Sequence, residues 1–424
     1  MNQHSRQRLK SWQRWSLLAA GAGAGVCAAI VWEDLDRLWP AYLYAYFTSW
    51  LVCMGGMGLL ALGNLTGGRW AAAARPFYLA ATQTTPLLAL LFIPVGALAQ
   101  YIYPWVDVTA GTYPEGKEAY LDIVFFCSRG TLYYVVWMLL ALWLSSVSRV
   151  DRPPASTPGM RRAGAMTLVL LVPTSTFAAF DWGMSLEPEW YSSIYGALAS
   201  AGGVVAVHAL TIIGLAGVGD AAVDAVLRRA SHDYVPTMYD ALQGREMIAD
   251  DTTHRPATSG SPNAAPISDR FADLFNDLGN LLLAFLMMNT YFALSQFLII
   301  WSANLPSEVT WYVRRFHQGW QWLALTLAVL HFLVPFLMLL SRDLTRVPRR
   351  LARIALLLLV MYFAHVYWMI APALTYSIGQ PSAHVLNIAA LAAMFGGWLA
   401  AFFWLTSRAL TADSLSFRTD DSPY

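Results

Sequence analysis

Residues 351–373 read LARIALLLLVMYFAHVYWMIAPA, and this stretch decides the fold class. In 23 residues it contains one arginine, Arg353, and one histidine, His365, and no acidic side chain. An α-helix needs about 20 mostly apolar residues to cross a hydrocarbon core of roughly 30 Å. The stretch is therefore long and apolar enough to be a transmembrane helix.

Nine more stretches of this kind occur along the 424-residue chain. We predict ten transmembrane helices, at residues 15–32, 40–63, 76–98, 122–144, 163–182, 194–217, 279–301, 319–341, 351–373 and 383–406. Hydrophobic residues make up 57% of the chain and charged residues 12%, against about 25% charged in soluble domains. The composition excludes a soluble enzyme, a disordered chain and a nucleic-acid-binding domain. It predicts an all-α polytopic protein of the lipid bilayer.

The distribution of basic residues orients the predicted helices. With the N-terminus inside, the inner segments hold 22 lysines and arginines and the outer loops hold 4, while Arg129 lies within the fourth helix. Cytoplasmic loops of membrane proteins carry an excess of positive charge. We therefore expect both termini to be cytoplasmic.

The first predicted helix follows a basic start, so a signal peptide is the alternative. In that case Cys27 would mark a lipoprotein site. However, Val26 stands where a small residue is expected, and the apolar run continues through Val31. We predict a retained first helix.

A long predicted cytoplasmic loop, residues 218–278, divides the helices into groups of six and four. Short similarities connect helix ends four helices apart: WLSSVSRVDR with LMLLSRDLTR, and FDWGMSLEPEWYSS with VYWMIAPALTYS. They predict a parallel repeat in which helices 2–5 and 6–9 form two four-helix bundles. The predicted divisions are residues 1–39 (N-terminus and first helix), 40–190 (first bundle), 191–373 (second bundle, interrupted by the loop) and 374–424 (last helix and tail).

Ionisable side chains near the outer ends of the helices are candidate functional residues, because charges inside a membrane are costly. Arg129 needs a niche lined by carbonyl groups or a carboxylate, which Asp122, Asp181 or Glu187 can supply. A structural ion pair and a catalytic role are both open for it. Asp181 and Glu187 lie with Glu189 in a tryptophan-rich segment without lysine or arginine. This pattern suits proton release or capture. The alternative is a structural role, in which these residues form a turn at the helix end and a proline sets its bend.

Four histidines lie in or beside predicted helices: His208, His331, His365 and His384. Counting about 1.5 Å per residue from the outer helix ends gives matched depth only to His208 and His331. No helix carries the histidine pair usual in b-type cytochromes, so haem b is not supported. A proton relay and hydrogen bonds between helices are the two interpretations of these residues.

The seventh predicted helix carries an unusual set of polar residues between Asn289 and Gln296. Before it, three aspartates spaced by four residues share one helix face, and the last of them is Asp277. Acids at an inner mouth that leads to a polar helix fit a proton half-channel. They fit contacts between helices equally well.

Four runs of sequence carry a family resemblance. YFALSQFLIIWSANLPSEVTWYVRRFHQGWQWLAL at 291–325, followed by HFLVPFLMLLSRDLTR at 331–346, closely resembles the second NrfD-like membrane subunit of bacterial alternative complex III. DWGMSLEPEWYSSIYG at 181–196 and LLLLVMYFAHVYWMIAPAL at 356–374 match the same family. The wider group is the NrfD/PsrC superfamily of quinone-interacting membrane subunits, and the resemblance covers most of residues 75–405.

The resemblance implies a subunit of a respiratory quinol:cytochrome c (or quinol:oxidase) oxidoreductase in the bacterial inner membrane. The implied partners are an Fe–S subunit, multihaem and monohaem cytochrome c subunits, a sister NrfD-like subunit and small membrane subunits. Haem c and Fe–S clusters are then expected on those partners, while this chain, with three cysteines and no CxxC, is expected to bind no cofactor itself. The resemblance also allows contact between this chain and quinol. Candidates for a quinone site or proton pathway are Arg129, Asp181, Glu187, His208, Asp277, His331 and His365.

The sequence departs from that family at three positions. Glu189 stands where a histidine is usual, and on the ninth predicted helix His365 and Met361 replace an aspartate and an arginine. This puts a proton role of the ninth helix in doubt unless His365 keeps the relay. A structural membrane anchor without chemistry is the first alternative function. A secondary transporter is more remote, because no pair of Gly/Pro-broken helices marks a substrate site at matched positions.

Overall fold

The computed structural model describes residues 3–32, 35–108, 112–113, 115–148, 157–219, 267–374 and 381–415. Of these residues 89% are helical, and no strand occurs among them. Helices satisfy all their backbone hydrogen bonds within one segment, as a membrane-spanning chain requires. The predicted all-α class is confirmed.

Fifteen α-helices in the described ranges are numbered here in chain order. They are α1 (Gln3–Ile30), α2 (Leu38–Thr66), α3 (Gly68–Gln83), α4 (Thr85–Ala97), α5 (Glu115–Tyr120), α6 (Ile123–Val147), α7 (Pro158–Trp182), α8 (Tyr195–Val218), α9 (Ile267–Ala303), α10 (Pro306–Phe316), α11 (Trp320–Thr326), α12 (Val334–Leu339), α13 (Arg342–Thr345), α14 (Pro348–Ile370) and α15 (Pro381–Leu415). A π-helical turn, Leu327–Leu333, joins α11 to α12.

Nine helical segments of the described chain are long and apolar enough to cross a membrane. They run over Leu35–Thr66, Gly68–Ala97, Ile123–Val147, Pro158–Leu186, Tyr195–Val218, Asp269–Ala303, Trp320–Leu339, Pro348–Leu374 and Ala383–Leu410. They match the second to tenth predicted spans and support a multi-pass membrane protein. The first predicted span, residues 15–32, falls almost entirely within α1, which is helical as expected but is not among the nine.

Two predicted spans are not continuous α-helices. The third breaks between α3 and α4 at Thr84, two residues before Pro86. The eighth changes from α to π geometry and returns to α geometry next to Pro335. Proline lacks an N–H and disfavours helical geometry in the residue before it, which places both breaks near a proline.

Helices α2 and α8 are the most buried spans and pack directly on each other. A Cβ atom at Gly55 of α2 would lie 2.6 Å from the carbonyl oxygen of Gly203 in α8, and one at Gly203 would meet the carbonyl oxygen of Leu51. Glycines at this crossing let the two backbones touch, and such small-residue contacts drive helix association in lipid. The other helices surround this pair: α3, α7 and α15 pack on α2, while α9 and α14 pack on α8.

The first and last described helices, α1 and α15, pack along each other in opposite directions. A Cβ atom at Gly23 would lie 2.5 Å from the carbonyl oxygen of Ala389, and the rings of Trp12 and Phe403 are 5.3 Å apart. The Ser5 hydroxyl donates to the last carbonyl group of α8 at 2.6 Å. The start of α1 and the later part of α15 therefore lie at the same end of the molecule as the end of α8.

Most of the predicted loop 218–278 lies outside the described residues, as do residues 416–424 of the tail. The described part of that loop from Ile267 onward is the first part of α9. At the other end, α15 continues to Leu415, beyond residue 406 where the tenth span was predicted to end. The division into two bundles and the cytoplasmic placement of the termini stay predictions.

Candidate functional site

Arg129 of α6 and Asp181 of α7 form a bidentate ion pair. Arg129 Nη2 lies 2.8 Å from Asp181 Oδ1, and its Nε lies 3.0 Å from Oδ2. The Tyr133 hydroxyl also donates to Oδ2 at 2.9 Å, and Arg129 Nη1 donates to the Tyr120 carbonyl group at 2.9 Å. The Asp181 side chain is 1% exposed. Of the three carboxylates predicted as partners, Asp181 binds the guanidinium, whereas Asp122 caps the start of α6.

Aromatic rings enclose this ion pair. The Arg129 guanidinium lies 3.9 Å from the centre of the Tyr120 ring. Trp182, next to the aspartate in sequence, contacts the rings of Trp50 and Trp137 at centroid distances of 4.8 and 5.9 Å. Burial and the nearby aspartate raise the pKa of Tyr120, which keeps its hydroxyl neutral. These contacts favour a structural role for the bidentate pair, and a catalytic role of Arg129 stays a prediction.

Glu187 is paired with two arginines of α10. Arg315 Nη2 lies 2.9 Å from Glu187 Oε2, and Arg314 Nη1 lies 3.1 Å from Oε1. The Arg315 side chain is 0% exposed, whereas that of Arg314 is 55% exposed. The segment around Glu187 has no lysine or arginine of its own, which suggested a set of unpaired acids. The structure supplies cations to Glu187 from α10 instead.

Arg315, the buried partner of Glu187, was not among the candidate residues predicted from the sequence. Its guanidinium donates to the carbonyl groups of Trp311, Trp368 and Met369 at 3.0, 3.2 and 2.7 Å. It also lies 3.7 Å from the centre of the Trp311 ring. Burial lowers the pKa of Arg315, and the Glu187 carboxylate opposes that shift. One feature of the sequence could have pointed to Arg315: it is one of only four basic residues in the predicted outer loops.

His208 has both ring nitrogens occupied by the protein. Its Nδ1 lies 2.6 Å from the Tyr78 hydroxyl and its Nε2 lies 3.0 Å from the Leu278 carbonyl oxygen. A carbonyl group only accepts, so Nε2 donates to Leu278. His208 thus ties α8 to α3 and α9 through both ring nitrogens, which supports the structural interpretation.

Asp277 lies at an exposed ion pair between α9 and α3. Its Oδ2 is 3.2 Å from Nη2 of Arg69, and both side chains are partly exposed. One turn earlier, Asp273 pairs with Arg346 at 2.6 Å. These aspartates connect α9 with α3 and with the segment before α14. Contacts between helices, one of the two predicted roles, are therefore present, and a proton half-channel stays a prediction.

Of the candidate histidines in the described residues, His331 and His365 are the two whose rings lie against each other, a pairing that the sequence analysis did not predict. Their ring centroids are 5.5 Å apart, at an interplanar angle of 32°. Counting along the helices gave these residues different depths and matched His331 with His208. His331 lies on the π-helical turn, where the regular rise per residue does not hold.

The ring of His331 is 5% exposed, and neither of its nitrogens has a hydrogen-bond partner in the described chain. On α8, Gly202 packs against three side chains. A Cβ atom there would lie 3.6 Å from Asn289 Nδ2, 3.6 Å from Tyr362 Cε2 and 3.7 Å from His365 Nδ1, which are ordinary van der Waals distances. His365 and Asn289 therefore both lie against α8, and His331 packs on His365 from the π-helical turn.

No protein-family model matches this chain, and no curated protein matches it. The sequence motifs quoted above are thus the basis of the family resemblance. Within the described residues, no group of three or more His, Cys, Asp or Glu is placed to hold a metal ion.

Proposed function

We propose that this chain is an integral membrane subunit of a respiratory quinol:cytochrome c (or quinol:oxidase) oxidoreductase. In this proposal it contributes to the quinone-interacting membrane region, to a proton pathway, or to both. The sequence motifs support the type of complex, and the nine apolar spans support the placement in a membrane. The observation that carries a chemical role is the His331–His365 pair.

A buried polar group without a partner costs about 1–3 kcal/mol. His331 has two such ring nitrogens, and it lies on a π-helical turn, a geometry found frequently at functional sites. A neutral imidazole offers one donor and one acceptor. The pair can therefore hydrogen-bond a quinol hydroxyl group or pass a proton through a bridging water. The other candidate residues are already bonded to the protein and offer no such free group.

The grouping of the helices and their orientation in the membrane are also part of the proposed function. We propose two four-helix bundles, one built from α2, α3–α4, α6 and α7 and the other from α8, α9, α11–α12 and α14. Packing of α2 on α3 and α7, of α6 on α4 and α7, and of α8 on α9 and α14 supports it. Both termini are cytoplasmic in the bacterial inner membrane, as the distribution of 22 inner and 4 outer basic residues indicates.

A structural anchor is the second candidate function, and one set of contacts favours it. Asp181, Glu187, His208 and Asp277 all have partners inside the protein and tie helices together. An anchor that seats redox subunits needs these contacts and no proton exchange. In the proposal they hold the scaffold, and the chemical role falls to His331 and His365.

The first test is purification of the tagged chain from its native membrane in mild detergent, with mass spectrometry of the proteins that accompany it. We expect an Fe–S subunit, multihaem and monohaem cytochrome c subunits, a sister NrfD-like subunit and small membrane subunits in fixed ratio. A chain that purifies alone overturns the proposal.

The second test separates the chemical role from the anchor. In the purified complex we expect His331→Gln and His365→Gln to lower quinol oxidation by about 100-fold, the lower end of what a proton-transferring group contributes. His208→Gln is the matched control, because that buried histidine has partners on both nitrogens. Wild-type turnover and proton release in the His331 and His365 variants would leave the anchor as the function.

A further inference from the structure

Five arginines lie within twelve residues around α13 and the start of α14. They are Arg342, Arg346, Arg349, Arg350 and Arg353, and all five are exposed. Asp343 is the one acidic residue in this stretch. Such a density of positive charge at the end of a membrane-spanning helix attracts anions, since each cation there repels its neighbours in the absence of a counter-charge.

Within the described residues, a carboxylate neutralises one of these arginines. Arg346 Nη2 pairs with the Asp273 carboxylate at 2.6 Å, while Arg350 donates to the backbone carbonyl group of Asp343 at 3.2 Å. Arg342, Arg349, Arg350 and Arg353 form no ion pair with any carboxylate in the described ranges of the chain.

The arginines continue into an apolar face of the same helix. Arg349, Arg353, Leu356 and Val360 are spaced by four, three and four residues, which places them in one row along α14. Leu356 and Val360 are about half exposed. This row therefore offers two positive charges at its end and an uncovered hydrocarbon surface directly beyond them.

We propose that the start of α14 binds an anionic phospholipid. The headgroup phosphate is held by Arg349, Arg350 and Arg353, and an acyl chain lies along Leu356 and Val360. A soluble anion would satisfy the arginines and leave the apolar row uncovered, whereas a lipid matches both parts. Arginine is suited to the task because its planar guanidinium binds phosphate oxygens through two parallel hydrogen bonds.

The test uses the full-length chain in a neutral detergent, with dioleoyl-phosphatidylglycerol as the probe and dioleoyl-phosphatidylcholine as the uncharged comparison. Binding is followed by native mass spectrometry. Each arginine near an anionic lipid surface contributes about fivefold in affinity. We therefore expect R349Q/R350Q/R353Q to weaken phosphatidylglycerol binding on the order of 100-fold, and R353Q alone about fivefold.

R161Q/R162Q is the control, because it removes two exposed charges at the start of α7 and leaves α14 intact. It should retain phosphatidylglycerol like the wild-type chain. Unfolding temperatures without added lipid show whether all variants fold equally, and R353Q keeps the test valid if the triple variant does not.

Three results would overturn the proposal. The first is equal binding of phosphatidylglycerol and phosphatidylcholine. The second is unchanged phosphatidylglycerol binding in the α14 variants, as expected if another part of the protein covers these arginines. The third is displacement of the lipid by millimolar inorganic phosphate, which would make the site one for free anions.

Discussion

Replacing Arg315 by methionine tests the buried ion pair with Glu187. Arg315 is fully buried and joins α10 to the carboxylate at 2.9 Å and to the carbonyl groups of Trp368 and Met369 near the end of α14. Methionine keeps an unbranched side chain and loses the charge. The substitution leaves the carboxylate with the single bond from the exposed Arg314.

The expected loss follows from this geometry. Removing one partner of a buried ion pair costs about 3–5 kcal/mol, because the remaining charge stays buried without compensation. Exposed ion pairs contribute about 0–1 kcal/mol. Arg315→Met should therefore lower the free energy of unfolding by about 3–5 kcal/mol, and Arg314→Met, its neighbour in sequence, by at most about 1 kcal/mol.

The assay is reversible unfolding of the full chain in mixed micelles with increasing dodecyl sulfate, followed by tryptophan fluorescence. A double variant, Arg315→Met with Glu187→Gln, should recover part of the loss because it removes both charges. If Arg315→Met and Arg314→Met differ by less than about 1 kcal/mol, the buried pair does not hold α10 in place and the reasoning fails.

Three further substitutions test other contacts in the same titration. Asp181→Asn removes the carboxylate that pairs with the guanidinium of Arg129, whose side chain is 11% exposed, and should cost about 3–5 kcal/mol. Tyr133→Phe should cost about 1 kcal/mol, and equal losses would contradict the ion-pair assignment. Gly203→Ala places a methyl group against the backbone of α2 and should cost about 1–3 kcal/mol. Gly397→Ala is the control, because its methyl group would meet no atom within 4 Å, and it should be neutral or stabilising. A larger loss for Gly397→Ala than for Gly203→Ala would refute the close crossing of α2 and α8. Asp277→Asn breaks an exposed pair, so its cost should stay below about 1 kcal/mol and disappear at high salt; a larger, salt-independent loss would show that the carboxylate has a further role.

The spans were predictable because crossing a membrane is a local property of each segment. A run of about 20 apolar residues fixes a helix whatever its neighbours are, and the second to tenth spans agree with the structure. The breaks beside Pro86 and Pro335 were not predicted, although proline gives a local reason for each. The π-helical turn depends on how the surrounding helices pack, which a single segment does not encode.

The partners of the charged residues were less predictable, since they come from distant parts of the chain. Arg129 had three candidate carboxylates, and the packing of α6 on α7 decides in favour of Asp181. Glu187 and Arg315 are separated by 128 residues. The contact between His331 and His365 required the relative positions of the π-helical turn and α14, which counting residues along ideal helices did not give.

The antiparallel contact of α1 with α15 constrains the order in which this protein is completed during synthesis. Gly23 meets Ala389, so the ribosome must add more than 360 residues after Gly23 before its contact exists. At about 5–20 residues per second, α1 waits on the order of 20–70 s with its glycine face open to lipid or to the insertion machinery. A nascent chain released before α15 therefore leaves the Gly23 side of α1 without the helix that covers it.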